Sequence, residues 1–202
     1  EKLNGKHKKF IGLKDVILVI LLTALCLVIV TIAVLPFAAN IKLVLWVVSG
    51  LEMLLCGPIY MLMVSKAPRY GTQLLFSFLF AAYYFITNGM ILISLLILGV
   101  GMVRELMMLK GGYRSPVRLT AFGLGVMFAP TVMMLTTRQQ MIDTMLDSGL
   151  TLEYAESIFV IYSPANIAIG TFITVIGAVL GCMLGYRMLC KHFRPAGIVE
   201  GA

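Results

Sequence analysis

The sequence predicts an all-α polytopic membrane protein, a six-transmembrane-helix bundle with N and C termini cytoplasmic. Three observations lead there. Of its 202 residues, 60% are hydrophobic and only 12% charged, about half the charged share of a soluble domain. Apolar runs long enough to cross a bilayer recur along the whole chain. Once six spans are drawn, all of the 16 Lys and Arg residues except Lys42 and Arg138 fall on one side, a strong positive-inside bias. The period-two alternation of a membrane barrel is absent.

The spans are expected at about 16–36, 41–65, 72–87, 89–108, 118–136 and 164–189, in a single domain covering 1–202. The first run is too long for a signal-peptide core and lacks a small-residue cleavage site, so it reads as a span that stays. The second carries Pro58 as a kink. The stretch 72–103 is long for one span and thin for two. Asn88-Gly89 at its middle is a turn signal, and charge decides for two helices. With one helix, Arg104 to Arg118 would fall opposite Lys66 and the N-terminal lysines. The inner connections are then 66–72 and 104–118. The last span opens on Ser163-Pro164, an N-cap followed by proline at the first helical position.

Residues 137–163 read as an outer helical lid. Met141, Ile142, Met145 and Leu146 recur at helical spacing, and Ser148-Gly149 stops that helix. Thr151 caps a second one with Leu152, Ala155, Ile158 and Phe159 on its apolar side. Asp143, Asp147, Glu153 and Glu156 against Arg138 leave the lid acidic. Two uses compete: the lid seals the bundle, or it covers a binding site, as long ordered loops often do.

The net charge of +7 does not indicate nucleic acid, because the basic residues sit at the ends of apolar runs, where topology signals sit. Cys26, Cys56, Cys182 and Cys190 show no CxxC spacing and read as small buried hydrophobes. There is no Walker A motif, HExxH or GxSxG elbow. His7 and His192 both fall on the inner side. No catalytic constellation and no metal site is expected, so the chain reads as a non-enzyme.

Glu52 is the one acidic residue placed deep in an expected span, which makes it a functional hypothesis by default. The structural alternatives are a protonated carboxyl bonded to a neighbouring helix, or a pair with Lys42. Asn40, Trp46, Tyr83, Tyr84, Asn88, Arg138, Tyr162 and Asn166 gather near the outer ends of spans. They are interfacial anchors and caps on one reading and, with Met134 and neighbouring methionines, the wall of a small-molecule site on the other. Ala24 and the four-residue series Gly177, Gly181, Gly185 allow close backbone approach. The expected neighbour of that series is the first helix or a partner subunit.

Four stretches carry a family resemblance: LKDVILVILLTAL (13–25), PIYMLMVSKAPRYG (58–71), LKGGYRS (109–115) and GCMLGYRMLCKHFRPAGI (181–198). In this order, over nearly the whole chain, they resemble the Trep_Strep, or MptD-type, group of substrate-binding S components of energy-coupling factor (ECF) transporters. The basic-His-Phe-basic-x-Ala-Gly run at the C-terminus is the most specific element. One departure is in helix one, where Ala24 is followed four residues later by Val28 rather than by a second alanine.

The resemblance implies an ECF-type ABC importer in the bacterial cytoplasmic membrane. This chain would capture a vitamin or related micronutrient outside. A T component and two ATP-binding subunits, using ATP and Mg, would drive its inward delivery. Glu52 and the acidic lid favour a cationic or neutral, donor-bearing ligand such as a heterocyclic vitamin. The methionines and aromatics would suit a large flat one, such as a tetrapyrrole like haem, although no outer histidine is available to it. Two other readings stand beside this one: a membrane scaffold or assembly subunit, and an autonomous secondary carrier. Against the carrier, no inverted repeat or broken helix pair is visible.

Overall fold

The computed structural model describes residues 10–37, 39–88, 91–111, 115–161 and 163–193. Among these, helices are α1 (Leu13–Val34), α2 (41–66), α3 (Thr72–Asn88), α4 (Ile91–Gly111), α5 (Ser115–Asp147), α6 (Leu152–Ile161) and α7 (Pro164–Met188). α2 begins with one α turn, loosens into a π turn at Val44–Val48 and is α-helical from Ser49 to Lys66. α7 runs on into a second π turn, Leu189–Phe193.

Six helices close a ring in the order α1, α2, α7, α5, α4, α3 and back to α1, while α6 lies against α5 and the start of α2. The ring therefore has a lid end, under α6, and a basic end, where α1 and α3 begin and α2 and α4 finish. Its interior is apolar and aromatic. Tyr60 is fully buried, stacked on Phe122 with centroids 4.5 Å apart and edge-on to Phe76 at 5.7 Å. The outward face is apolar too, with Ile17, Leu95 and Phe172 all more than half exposed. A surface of that kind is covered by lipid rather than water. Leu13–Phe37, Val44–Lys66, Ile91–Gly111 and Pro164–Lys191 are long and apolar enough to cross a membrane, and Thr72–Thr87 is apolar but shorter.

The glycine series finds a neighbour the sequence did not suggest. Gly177 abuts the Gly50 carbonyl, Gly181 abuts Met53 and Leu54, and Gly185 abuts Pro58 and Met61, all on α2. A Cβ at Gly181 would lie 2.6 Å from the Met53 carbonyl oxygen. The row thus packs on the second helix, not on the first. Its physical reason is backbone proximity: small residues let two helices approach until main chain meets main chain. Ser49 and Thr174 add a hydroxyl–hydroxyl bond of 2.7 Å across the same seam.

Two expectations about helix ends need correcting. Residues 104–118 were expected as an inner loop, yet α4 continues to Gly111 and α5 begins at Ser115. No breaker interrupts RELMMLK, so the helix propagates until the Gly111-Gly112 pair. Residues 137–147, expected as a separate lid helix, are the last turns of α5, a helix of 33 residues. That helix stops where the sequence places its stop, with Gly149 at φ +83° and its N–H bonded to the Leu146 carbonyl at 2.9 Å.

The basic end is latched. Ile11 N–H donates to the Tyr70 carbonyl at 2.9 Å, and Arg69 pairs with Asp15 at 2.7 Å. Gly71, at φ +99°, makes the turn into α3, a left-handed conformation that glycine adopts without steric penalty.

Candidate functional site

Helix periodicity aims Glu52 into the ring. Glu52, Cys56 and Tyr60 recur every four residues along α2, so they share one face, and Cys56 and Tyr60 are core residues. Across the ring, Tyr84 lies eleven residues beyond Gln73 on α3, about three turns along the same face. Gln73 accepts the Tyr60 hydroxyl through its Oε1 at 3.1 Å, which fixes that face as inward. Glu52 and Tyr84 are close enough to act on one another electrostatically. Glu52 is half-buried, and no hydrogen bond or ion pair holds it among the described residues. Lys42, the partner considered from sequence, instead places its Nζ 5.4 Å from the centre of the Trp46 ring.

Toward the lid end the wall is apolar. Tyr84, Ile97, Met145 and Phe159 pack around Ile93 and Met141, bringing α3, α4, the end of α5 and the lid helix α6 together. Tyr83 meets Tyr84 edge-on at 5.8 Å and shares a 2.9 Å hydrogen bond with Thr31. Arg138 is exposed and lies over the Phe159 ring at 5.3 Å. Its charge therefore sits on the lid.

Two of the other candidates are local caps. Asn40 Oδ1 accepts from Leu43 N–H at 3.3 Å. Asn166 Nδ2 donates to the Ile161 carbonyl at 2.6 Å, while its N–H reaches the Ser163 hydroxyl at 3.4 Å. Ala24 is exposed on the outward side of α1. The side chains of Asn88 and Met134, and Tyr162 as a whole, lie outside the described residues.

Sequence reading missed Gln140 and Thr171. At the lid end the Trp46 Nε1, Gln140 Oε1 and Thr171 Oγ1 atoms are buried without a hydrogen-bond partner among the described residues. They come from α2, α5 and α7. Buried polar groups are normally satisfied, so a donor, an acceptor and a hydroxyl stand ready at this end. The signal in the sequence was slight: polar residues one position away from an apolar stripe.

It also missed the acid at the other end. Glu105 is 2% exposed, more deeply buried than Glu52. Its carboxylate accepts from the N–H groups of Gly71 at 3.0 Å, Gln73 at 3.0 Å and Leu74 at 3.2 Å. These are the orphan donors at the start of α3, where negative charge is favoured. Arg104 and Arg118, counted from sequence as loop cations, are likewise buried. No group of three His, Cys, Asp or Glu residues is placed to hold a metal among the described residues.

This part of the ring thus offers one carboxylate without a partner among the described residues, an aromatic and methionine wall, and a short helix packed on that wall. That suits non-covalent capture of a small molecule with an apolar body and a hydrogen-bond donor or positive group. A family model described as hypothetical bacterial integral membrane protein (Trep_Strep) matches residues 13–194. No curated protein and no solved structure matches the chain.

Proposed function

Starting from the chain's membership of the Trep_Strep family of bacterial integral membrane proteins, we propose that it is the substrate-capture subunit of an ECF-type importer. In this reading the six ring helices all span the membrane, with both termini in the cytoplasm and α6 outside. Fourteen of the sixteen Lys and Arg residues then lie inside (16 less Lys42 and Arg138), as the positive-inside rule asks. A vitamin or related micronutrient enters at the lid end. A T component and two ATP-binding subunits, consuming ATP with Mg, deliver it inward.

The single observation that carries the proposal is Glu52 itself. It is a half-buried carboxylate on the inward face of α2, with no hydrogen bond or ion pair among the described residues and with Tyr84 in electrostatic range. A scaffold subunit has no use for an unpaired intramembrane acid, which is costly to keep. The carboxylate favours a neutral or cationic, donor-bearing heterocycle over a tetrapyrrole, whose acidic side chains would be repelled by Glu52.

The experiment is affinity purification of the tagged chain from its native membrane. The expected result is co-purification of a T component and two ATP-binding subunits, with a small molecule released on denaturation and named by mass spectrometry. Repeated isolation as a lone protein, together with uptake by vesicles that contain no ATP, would overturn the proposal.

A further inference from the structure

Around Tyr60, in the basic half of the ring, hydrogen-bond donors outnumber acceptors. The Tyr60 hydroxyl donates to Gln73 Oε1 at 3.1 Å. That commits the amide oxygen and leaves Gln73 Nε2 buried with no acceptor among the described residues. One turn further along α3, Ser77 Oγ is also buried with no partner. Ser77 faces Gly101 of α4, where an added Cβ would collide with it. Arg104 follows one turn along α4 on the same side.

Arg104 is 8% exposed, and its guanidinium lies 5.7 Å from the centre of the Phe76 ring. Its Nε donates to the Ala121 carbonyl at 3.1 Å. No acceptor serves its two terminal nitrogens among the described residues. Glu105, next in sequence, turns its carboxylate to the start of α3. Arg118, bonded through Nη1 to Ser65 Oγ at 2.8 Å, adds a second positive charge acting on Tyr60. Buried charges are ordinarily paired, and in a membrane interior the need is greater.

The geometry points to a binding site for a small inorganic anion, of halide size, between Arg104, Gln73 and Ser77. Chloride is the physiological candidate. Gln73 and Ser77 are 0% and 1% exposed and Ser77 packs closely on Gly101, which favours a monatomic ion over a bulkier tetrahedral oxyanion. A halide also accepts from divergent donors without the directional lone pairs that an oxyanion imposes. The ion would neutralise Arg104 and satisfy the idle amide and hydroxyl donors.

The test uses the full-length protein in detergent, exchanged into gluconate buffer. Sodium chloride, bromide or sulfate is titrated at constant ionic strength while the melting temperature is read. Crystals grown in bromide are examined for anomalous scattering. The expected result is a saturable rise in melting temperature with chloride and bromide but not sulfate, and a bromide peak within hydrogen-bond reach of the Arg104 guanidinium. Ser77→Ala should fold as the wild type in gluconate and shift half-saturation about tenfold upward, the effect of losing one hydrogen bond to a charged group. Arg104→Gln should abolish the response; if it does not fold, Ser77→Ala and the bromide crystals still decide. Identical melting curves in chloride and gluconate, a response to sulfate alone, ordered water only beside Arg104, or an unchanged Ser77→Ala midpoint would each overturn the assignment.

Discussion

Gly57 of α2 and Gly181 of α7 meet backbone to backbone: a Cβ at Gly57 would lie 2.7 Å from the Gly181 Cα. At this point the seam between the two helices is therefore built on main-chain contact, with no side chain there able to yield. Gly181→Leu must push the helices apart along their whole contact. The expected loss exceeds the roughly 1–3 kcal/mol of an ordinary overpacked core, read as a lower melting temperature and a broadened size-exclusion peak in detergent. Gly99→Leu is the control, since nothing lies within 4 Å of a Cβ there. Equal stability of the two variants would show that the seam is not tight.

The partner of that glycine row was not legible in the sequence. Spacing announces a close approach but not which helix makes it, because helix pairing is settled by the whole ring. What was legible came from local chemistry. Ser163 caps α7 with Pro164 at its first position, and Gly149 ends α5 in the left-handed conformation. Arg104, Glu105 and Arg118 were misplaced for a different reason. Charge density suggests a loop, but Glu105 accepts from backbone N–H groups at the start of α3, Arg104 donates to the Ala121 carbonyl and Arg118 to the Ser65 hydroxyl, which lets all three sit inside a helical bundle. The π turn at Val44–Val48 has no sequence signature in apolar residues. Glu52 was legible because an acid amid apolar residues stands out, whereas Gln140 and Thr171 are common residues whose idle atoms only a packed structure exposes.

Glu105 anchors the start of α3 through three backbone N–H groups. Glu105→Ala strands these buried donors, and hydrogen bonds to a charged group are worth about 1.5–3 kcal/mol each. Glu105→Gln keeps an acceptor oxygen without the charge. Melting temperatures should fall in the order wild type, Glu105→Gln, Glu105→Ala, with hydrogen exchange rising first at Gln73 and Leu74. An unchanged Glu105→Ala melting temperature would remove the anchoring role.

Asp15 and Arg69 form an ion pair of unequal partners. Arg69 is 48% exposed and Asp15 15%, and Asp15 also accepts from Gly12 N–H at 3.3 Å. An exposed pair contributes little, about 0.2–1 kcal/mol, and salt screens it. Asp15→Ala should therefore destabilise more than Arg69→Ala, because it removes the helix cap as well as the pair. High salt should shrink the Arg69→Ala effect while leaving most of the Asp15→Ala effect. If both variants lose the same stability and respond alike to salt, the cap contributes nothing.

Glu52→Gln separates a ligand-binding acid from a structural one. The carboxylate is held by no hydrogen bond or ion pair among the described residues, so nothing in the fold requires its charge. Gln is nearly isosteric and, being neutral, is easier to bury in a membrane. Melting temperature and yield should stay level or rise. The small molecule retained through purification should fall at least tenfold, the consequence of losing a charge-assisted hydrogen bond of about 1.5–3 kcal/mol. Tyr84→Phe is the companion variant. It keeps the packing against Ile93 and Met141 while removing a hydroxyl in electrostatic range of Glu52, and it should weaken retention to a smaller degree. The contents of each purified variant are compared by mass spectrometry after denaturation. Equal retention by wild type and Glu52→Gln would take Glu52 out of the site. A collapse in stability with unchanged retention per folded molecule would make it structural.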